Sequence, residues 1–135
     1  MGYRSEVAIT VPNEAFKELV EKAKEECGIA YELIKNSSIY QKGKFTTMHF
    51  DYVKWYADYD DVRFIENFMR SSPYVFKRVG EDYGDIEILE GDIADFDIYN
   101  CVNIVSSLDI ENAGEKITIG GMEEKMEVET NGLYE

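Results

Sequence analysis

Only one imidazole, His49, is available to this chain for proton transfer or for activating a nucleophile. Any Ser-His-Asp or Cys-His system would have to use it. It lies in Thr47-Met48-His49-Phe50-Asp51, inside a run of β-formers. Period-two alternation places His49, Asp51, Val53 and Trp55 on one strand face, with His49 and Asp51 about 7 Å apart along it. A carboxylate beside an imidazole is a general-base arrangement. The plainer reading is a partly exposed histidine on a sheet face, and the low base rate of functional pairs favours it.

Metal chemistry would have to rest on carboxylates, because one His and two distant cysteines, Cys27 and Cys101, do not make a zinc site. Asp82, Asp85, Glu87, Glu90, Asp92, Asp95 and Asp97 supply the hard oxygen ligands that Ca²⁺ and Mg²⁺ prefer. Their spacing fails the EF-hand loop, which needs ligands at alternate positions and glycine at the sixth. A solvated acidic face is the default for such a run. No CxxC occurs, so both cysteines read as buried thiols rather than as a disulfide framework. Gly114-Glu115-Lys116 and Gly120-Gly121 match neither a Walker loop nor a dinucleotide fingerprint, which excludes nucleotide hydrolysis. Tyr52, Trp55, Tyr56 and Tyr59 cluster at one strand end and suit a core edge better than an interaction hot spot.

The elements that must position these groups follow from periodicity. Tyr3, Ser5, Val7, Ile9 and Val11 alternate with Arg4, Glu6, Ala8 and Thr10, predicting a strand with one buried face, ended by Pro12. Asn13 is the expected N-cap of an amphipathic helix carrying Phe16, Leu19, Val20, Ala23 and Cys27, with Gly28 as its stop. Ala30 to Ile34 reads as a short helix or a strand, and Asn36-Ser37-Ser38 and Lys42-Gly43-Lys44 as loops. Phe45 to Tyr56 reads as one long strand. A second helix, capped by Asp58 or Asp60, carries Val62, Ile65, Phe68 and Met69 and stops at Ser71-Ser72-Pro73. Tyr74–Val79 and Asp85–Glu90 flank a Gly80–Gly84 turn as a hairpin. Phe96 to Leu108 keeps apolar residues at even positions, predicting one long strand or two, and Lys116 to Ile119 a last weak one.

The result is an α+β domain over 1–119, with a charged, frayed tail over 120–135. Its architecture is a single twisted, mostly antiparallel sheet with two helices on one face, a ferredoxin-like variant or relative. The opposite face then needs solvent-tolerant side chains or a partner. A length of 135 residues suits one domain. No apolar run approaches a membrane span, and the first residues lack a signal peptide's apolar stretch, so a soluble cytoplasmic protein is expected.

Charge is unevenly distributed. Residues 1–80 hold 12 acids and 12 bases, whereas residues 81–135 hold 16 acids and only Lys116 and Lys125. The whole net charge of -14 thus belongs to the last two fifths of the chain. Clustered basic residues for phosphate neutralisation are missing, which disfavours direct nucleic-acid binding.

Two segments carry a family resemblance. Met1-Gly2-Tyr3-Arg4-Ser5-Glu6-Val7-Ala8 and Val53-Lys54-Trp55-Tyr56-Ala57-Asp58-Tyr59-Asp60-Asp61-Val62 resemble small tailed-bacteriophage and prophage proteins. Those begin MGYRS[DE]V and carry a later [VL]KWY…[DE]V segment. The resemblance spans roughly the first 70 residues and brings no catalytic residues with it. It implies a phage accessory protein acting in the bacterial host cytoplasm, and provenance with small size suggests an anti-defence inhibitor such as an anti-CRISPR. Together with the charge, this gives a non-catalytic acidic binding module for a basic host protein, a nucleic-acid-binding one, with no cofactor and no membrane contact. The seven acids from Asp82 to Asp97 are its candidate binding residues. Two other readings stand: a carboxylate-based, metal-assisted hydrolase or transferase with His49 assisting, and a phage assembly component or homo-oligomer formed through the uncovered sheet face.

Overall fold

The structure, a computed structural model, describes residues 2–91, 96–104 and 108–119. Its elements run β1 (Ser5–Pro12), α1 (Asn13–Glu26), α2 (Gly28–Lys35), β2 (Ser38–Lys42), β3 (Phe45–Val53), α3 (Asp60–Met69), β4 (Tyr74–Gly80) and β5 (Ile86–Gly91). A 3-10 segment (Phe96–Cys101), the short strands β6 (Asn103–Ile104) and β7 (Leu108–Asp109), a 3-10 turn (Glu111–Ala113) and β8 (Glu115–Ile117) follow. Six strands form one antiparallel sheet in the order β5-β4-β1-β3-β2-β8, and β6 and β7 pair separately. The expected tail, 120–135, lies outside the described residues.

The α+β class with helices on one face holds, and among the described residues there are three α-helices rather than two. Cys27 leaves helical geometry at φ -149°, so Gly28 opens α2 instead of merely ending α1. Ala30 and Ile34 are α2's buried residues, and the ambiguous segment is a helix. Ser38–Lys42, expected to begin and end in loops, is a strand. Pro12, not Asn13, caps α1. The Asn13 side chain instead donates to the Gly43 carbonyl at 2.9 Å and accepts from Thr46 Oγ1 at 2.7 Å, tying the helix start to the β2–β3 turn.

One row of side chains crosses the helix-facing side of the sheet, from Met48 through Ile9 and Phe76 to Leu89. Phe16, Leu19 and Val20 of α1, Ile34 of α2 and Val62, Ile65 and Met69 of α3 pack on it. Trp55 closes the end of this core, 5.0 Å from the Phe50 ring and 6.1 Å from Phe76, and donates to Glu66 Oε1 at 3.1 Å.

The first strand was expected to bury a single face. Ala8 and Thr10, on its other face, are also buried. The reason is the C-terminal segment, which passes across the outer side of the sheet. Cys101, Val102 and Leu108 pack on Ala8, joined by Phe45, Val79, Ile104 and Ile110. The face that seemed to require solvent-tolerant side chains or a partner is therefore covered in large part by the chain itself. The expected strand from Phe96 to Leu108 is replaced by the 3-10 segment and β6–β7. The expected even positions Ile98, Val102 and Leu108 are buried and Ile104 packs beside them, but Cys101 is buried as well, three residues after Ile98, a spacing that suits a helical turn and not a strand.

The long strand expected to reach Tyr56 stops at Val53. Its register against β1 slips between Ser5↔Val53 and Val7↔Phe50, and Tyr52 sits in the left-handed region at φ 56°. This bulge breaks the alternation. His49 and Asp51 stay off the helix side, whereas Val53 and Trp55 turn into the helix-side core, so these four residues do not share a face.

Phe76 is fully buried where the sheet, Trp55 and the helices meet. Phe76→Ala is expected to cost about 3–5 kcal/mol. Chemical denaturation should then show a lower midpoint with an unchanged slope.

Candidate functional site

The β4–β5 hairpin brings part of the acidic run together. Its closing hydrogen bond runs from Gly80 N–H to the Asp85 carbonyl at 2.8 Å, and the Asp85 amide donates to the Asp82 carbonyl at 3.1 Å. Strand register sets Arg78 opposite Glu87. The Arg78 guanidinium grips Asp85 with both terminal nitrogens at 2.9 and 3.1 Å, and gives its Nε–H to Glu87 Oε1 at 3.2 Å. Ser5 Oγ takes a further donation from Arg78 at 3.1 Å. Tyr3 completes the cluster, its hydroxyl donating to Asp85 Oδ2 at 2.5 Å and accepting from the Asp82 amide at 2.9 Å. The segment before β1 is thus fastened to the hairpin turn.

The charge states follow from this geometry. Arg78, with a smaller contribution from the Tyr3 hydroxyl, holds the Asp85 carboxyl below its ordinary value. The same contact with Asp85 raises both Arg78 and the Tyr3 phenol. Two of the seven candidate acids, Asp85 and Glu87, are therefore committed to an internal ion-pair network.

The remaining candidates separate. Asp82 is exposed at the hairpin tip and Glu90 is exposed on the outer face of β5. Asp97 is exposed in the 3-10 segment, where it lines a cavity of about 580 Å³ with Lys42, Lys44, Phe45, Cys101 and Asn112. Asp92 and Asp95 lie outside the described residues. Burial pushes the Cys101 thiol up, and it makes a 3.5 Å contact with the Asp97 carbonyl. Cys27 and Cys101 are both free, the first half-buried and the second buried.

His49 does not take Asp51 as its partner. Its Nε2 lies 2.9 Å from Glu6 Oε2, reached across the β1–β3 ladder, while Asp51 is exposed. The other Glu6 oxygen accepts the Leu108 amide at 2.8 Å. Glu6 thus ties the C-terminal cover to the sheet, and His49 braces it.

Lys77 performs the same task farther along β4. Only 2% of it is exposed. Its ammonium donates to the Tyr99 carbonyl at 2.9 Å and to the Val102 carbonyl, and lies 3.8 Å from the centre of the Tyr99 ring. Desolvation lowers its pKa, opposed by Cys101 and Glu90. Composition gave no sign of these anchors. The hairpin register alone, however, would have put Arg78 across from Glu87.

Of the aromatic cluster only Trp55 belongs to the core. Tyr52 and Tyr59 are exposed, and the Tyr56 hydroxyl accepts the Tyr3 amide at 2.6 Å. Among the described residues no group of three or more His, Cys, Asp or Glu side chains could hold a metal ion, and no helix is long and apolar enough to cross a membrane. No protein-family model matches the chain, and none of the curated proteins or solved structures is similar to it.

Two expectations follow. Because the folded-state pKa of Asp85 is depressed, its contribution to stability is complete above the unfolded carboxylate value and fades as pH falls through the folded one. Melting temperatures of the wild type and Asp85→Asn should differ at neutral pH and converge in acid. Lys77→Met leaves the buried Val102 carbonyl and the partly buried Tyr99 carbonyl without their charged donor and should cost about 1–3 kcal/mol. Amide exchange should quicken from residue 98 to 102 before it does in β1 and β3.

Proposed function

We propose that the protein is a non-catalytic acidic binding module that engages a basic surface on a partner protein. The observation that carries this reading is the number of acidic side chains exposed on the surface outside the Arg78 network. Glu81, Asp82, Glu90, Asp97, Glu111 and Glu115 are exposed in a half of the chain whose only bases are Lys116 and Lys125. Such a field accelerates encounter with a positively charged groove and disfavours acidic competitors. A protein surface that ordinarily receives phosphates meets the same requirement. The resemblance of the opening and KWY segments to tailed-phage proteins supports a phage accessory role, with a nucleic-acid-binding host protein as target and an anti-defence inhibitor as one form of it.

The positions of the acids favour this over metal-assisted hydrolysis. Asp85 and Glu87 face a guanidinium, and among the described residues Asp82 at the hairpin turn, Glu90 near the end of β5 and Asp97 in the 3-10 segment do not come together as a set of metal ligands.

The test is capture from bacterial lysate on immobilised protein at low and high salt. A retained basic protein that elutes with salt is expected. Asp82→Asn, Glu90→Gln and Asp97→Asn combined should weaken its binding by about tenfold or more, with the melting temperature preserved. Retention indifferent to both salt and the triple substitution would count against electrostatic capture.

A further inference from the structure

Resting on the reading of an acidic binding module, the geometry points to the free edge of β5 as its docking surface, and to an extended segment of a basic protein, added as a seventh strand, as its occupant. β5 ends the six-stranded order, and among the described residues no strand pairs with its far side. The Gly80–Asp85 closing bond fixes the alternation along the hairpin. Glu87 and Leu89 therefore turn their amides to β4, whereas Ile88 and Glu90 turn their N–H and C=O groups outward. The six register pairs from Tyr74↔Gly91 to Val79↔Ile86 run without a bulge.

Sheet edges are ordinarily blunted by lysine, proline, a bulge or a cover. In Ile86-Glu87-Ile88-Leu89-Glu90-Gly91 there is no lysine or proline, and the pairing is continuous. Two large apolar side chains are left in solvent on the same face, Ile86 at 49% and Ile88 at 43% exposure. Tyr83 stands fully exposed at the adjoining tip. What guards this edge is negative charge, from Glu81 and Asp82 at the turn and Glu90 at the far end.

That choice of guard discriminates between occupants. A second copy would bring the same acids and another net charge of -14 to the edge. A strand in which Lys or Arg alternates with apolar residues satisfies every feature together: main-chain hydrogen bonds to Ile88 and Glu90, apolar contacts on Ile86 and Ile88, and cations near the acids. Charge brings the partner in, and the edge fixes its register.

The test titrates the full chain, at low salt, with a short capped peptide of alternating lysine and valine, followed by amide chemical shifts and hydrogen exchange. Saturable perturbation centred on β5, with slowed exchange at Ile88 and Glu90, is expected. Ile86→Thr with Ile88→Thr keeps strand-forming side chains and should weaken binding by about tenfold, and a glutamate–valine peptide should not bind. Perturbation elsewhere on the surface, or affinity unmoved by the two threonines, overturns the edge while leaving the acidic-surface reading intact. Protection of β5 that grows with protein concentration in the absence of peptide, accompanied by a dimer in light scattering, assigns the edge to a second copy and overturns the proposal. Absence of saturable binding also overturns it, and the acidic-surface reading is then decided by lysate capture alone.

Discussion

A sheet whose centre is buried on both faces must be covered twice, and that requirement governs this molecule. The helices cover one face by ordinary means, with stripes of Phe, Leu, Val, Ile and Met. The other is covered by a short, irregular segment with few large apolar groups, in which Ile98, Cys101, Val102 and Leu108 are the buried ones. So small an apolar contribution is supplemented by two polar attachments, one from the buried Lys77 and one from the partly buried Glu6. Lys77 holds the carbonyls of Tyr99 and Val102, and Glu6 holds the amide of Leu108. In low dielectric such charge-assisted bonds are strong when complete and costly when one partner is missing. The cover is thus specified by a few directional contacts more than by area.

The same economy separates two uses of charge. Asp85 and Glu87 look in sequence like members of one acidic run, yet they are structural, because Arg78 and Tyr3 are brought to them. The backbone of Asp82 joins that network, but the carboxylates of Asp82 and Glu90 are exposed. An acidic stretch is therefore not a unit of function. Strand alternation assigns its members to different faces, and the faces have different surroundings.

Much of the architecture was legible because it is repetitive. Phe16, Leu19, Val20 and Ala23 announce α1, Val62, Ile65 and Met69 announce α3, and two β-forming runs around Gly80–Gly84 announce the hairpin. What resisted reading depends on distant partners. β2 buries only Ile39 to the full extent, so its sequence lacks an apolar signature, and it is a strand because β3 and β8 flank it. The left-handed Tyr52 has no sequence mark, since neither Gly nor Asn stands there, and it lies in the bulge after which Trp55 enters the core. Ala8 looked like a solvent-facing position because nothing local reveals what will lie on it. The candidate site was legible as a composition and not as a geometry. Asp85 and its partner Tyr3 are 82 residues apart.

The placement of β1 has a bearing on how the chain acquires its shape during synthesis. β1 occupies the middle of the sheet, flanked by Phe45–Val53 on one side and Tyr74–Gly80 on the other, both of which are made after it. Its ladder with Phe45–Val53 can form once that strand is made, but its ladder with Tyr74–Gly80 must wait until more than half of these residues have been made. Its outer face stays bare longer still, until the segment carrying Cys101, Val102 and Leu108 arrives. Contacts so far apart along the chain close slowly and leave strand edges open in the interval. During synthesis β1 is therefore enclosed in stages, by one neighbour, then the other, and last by the segment over its outer face.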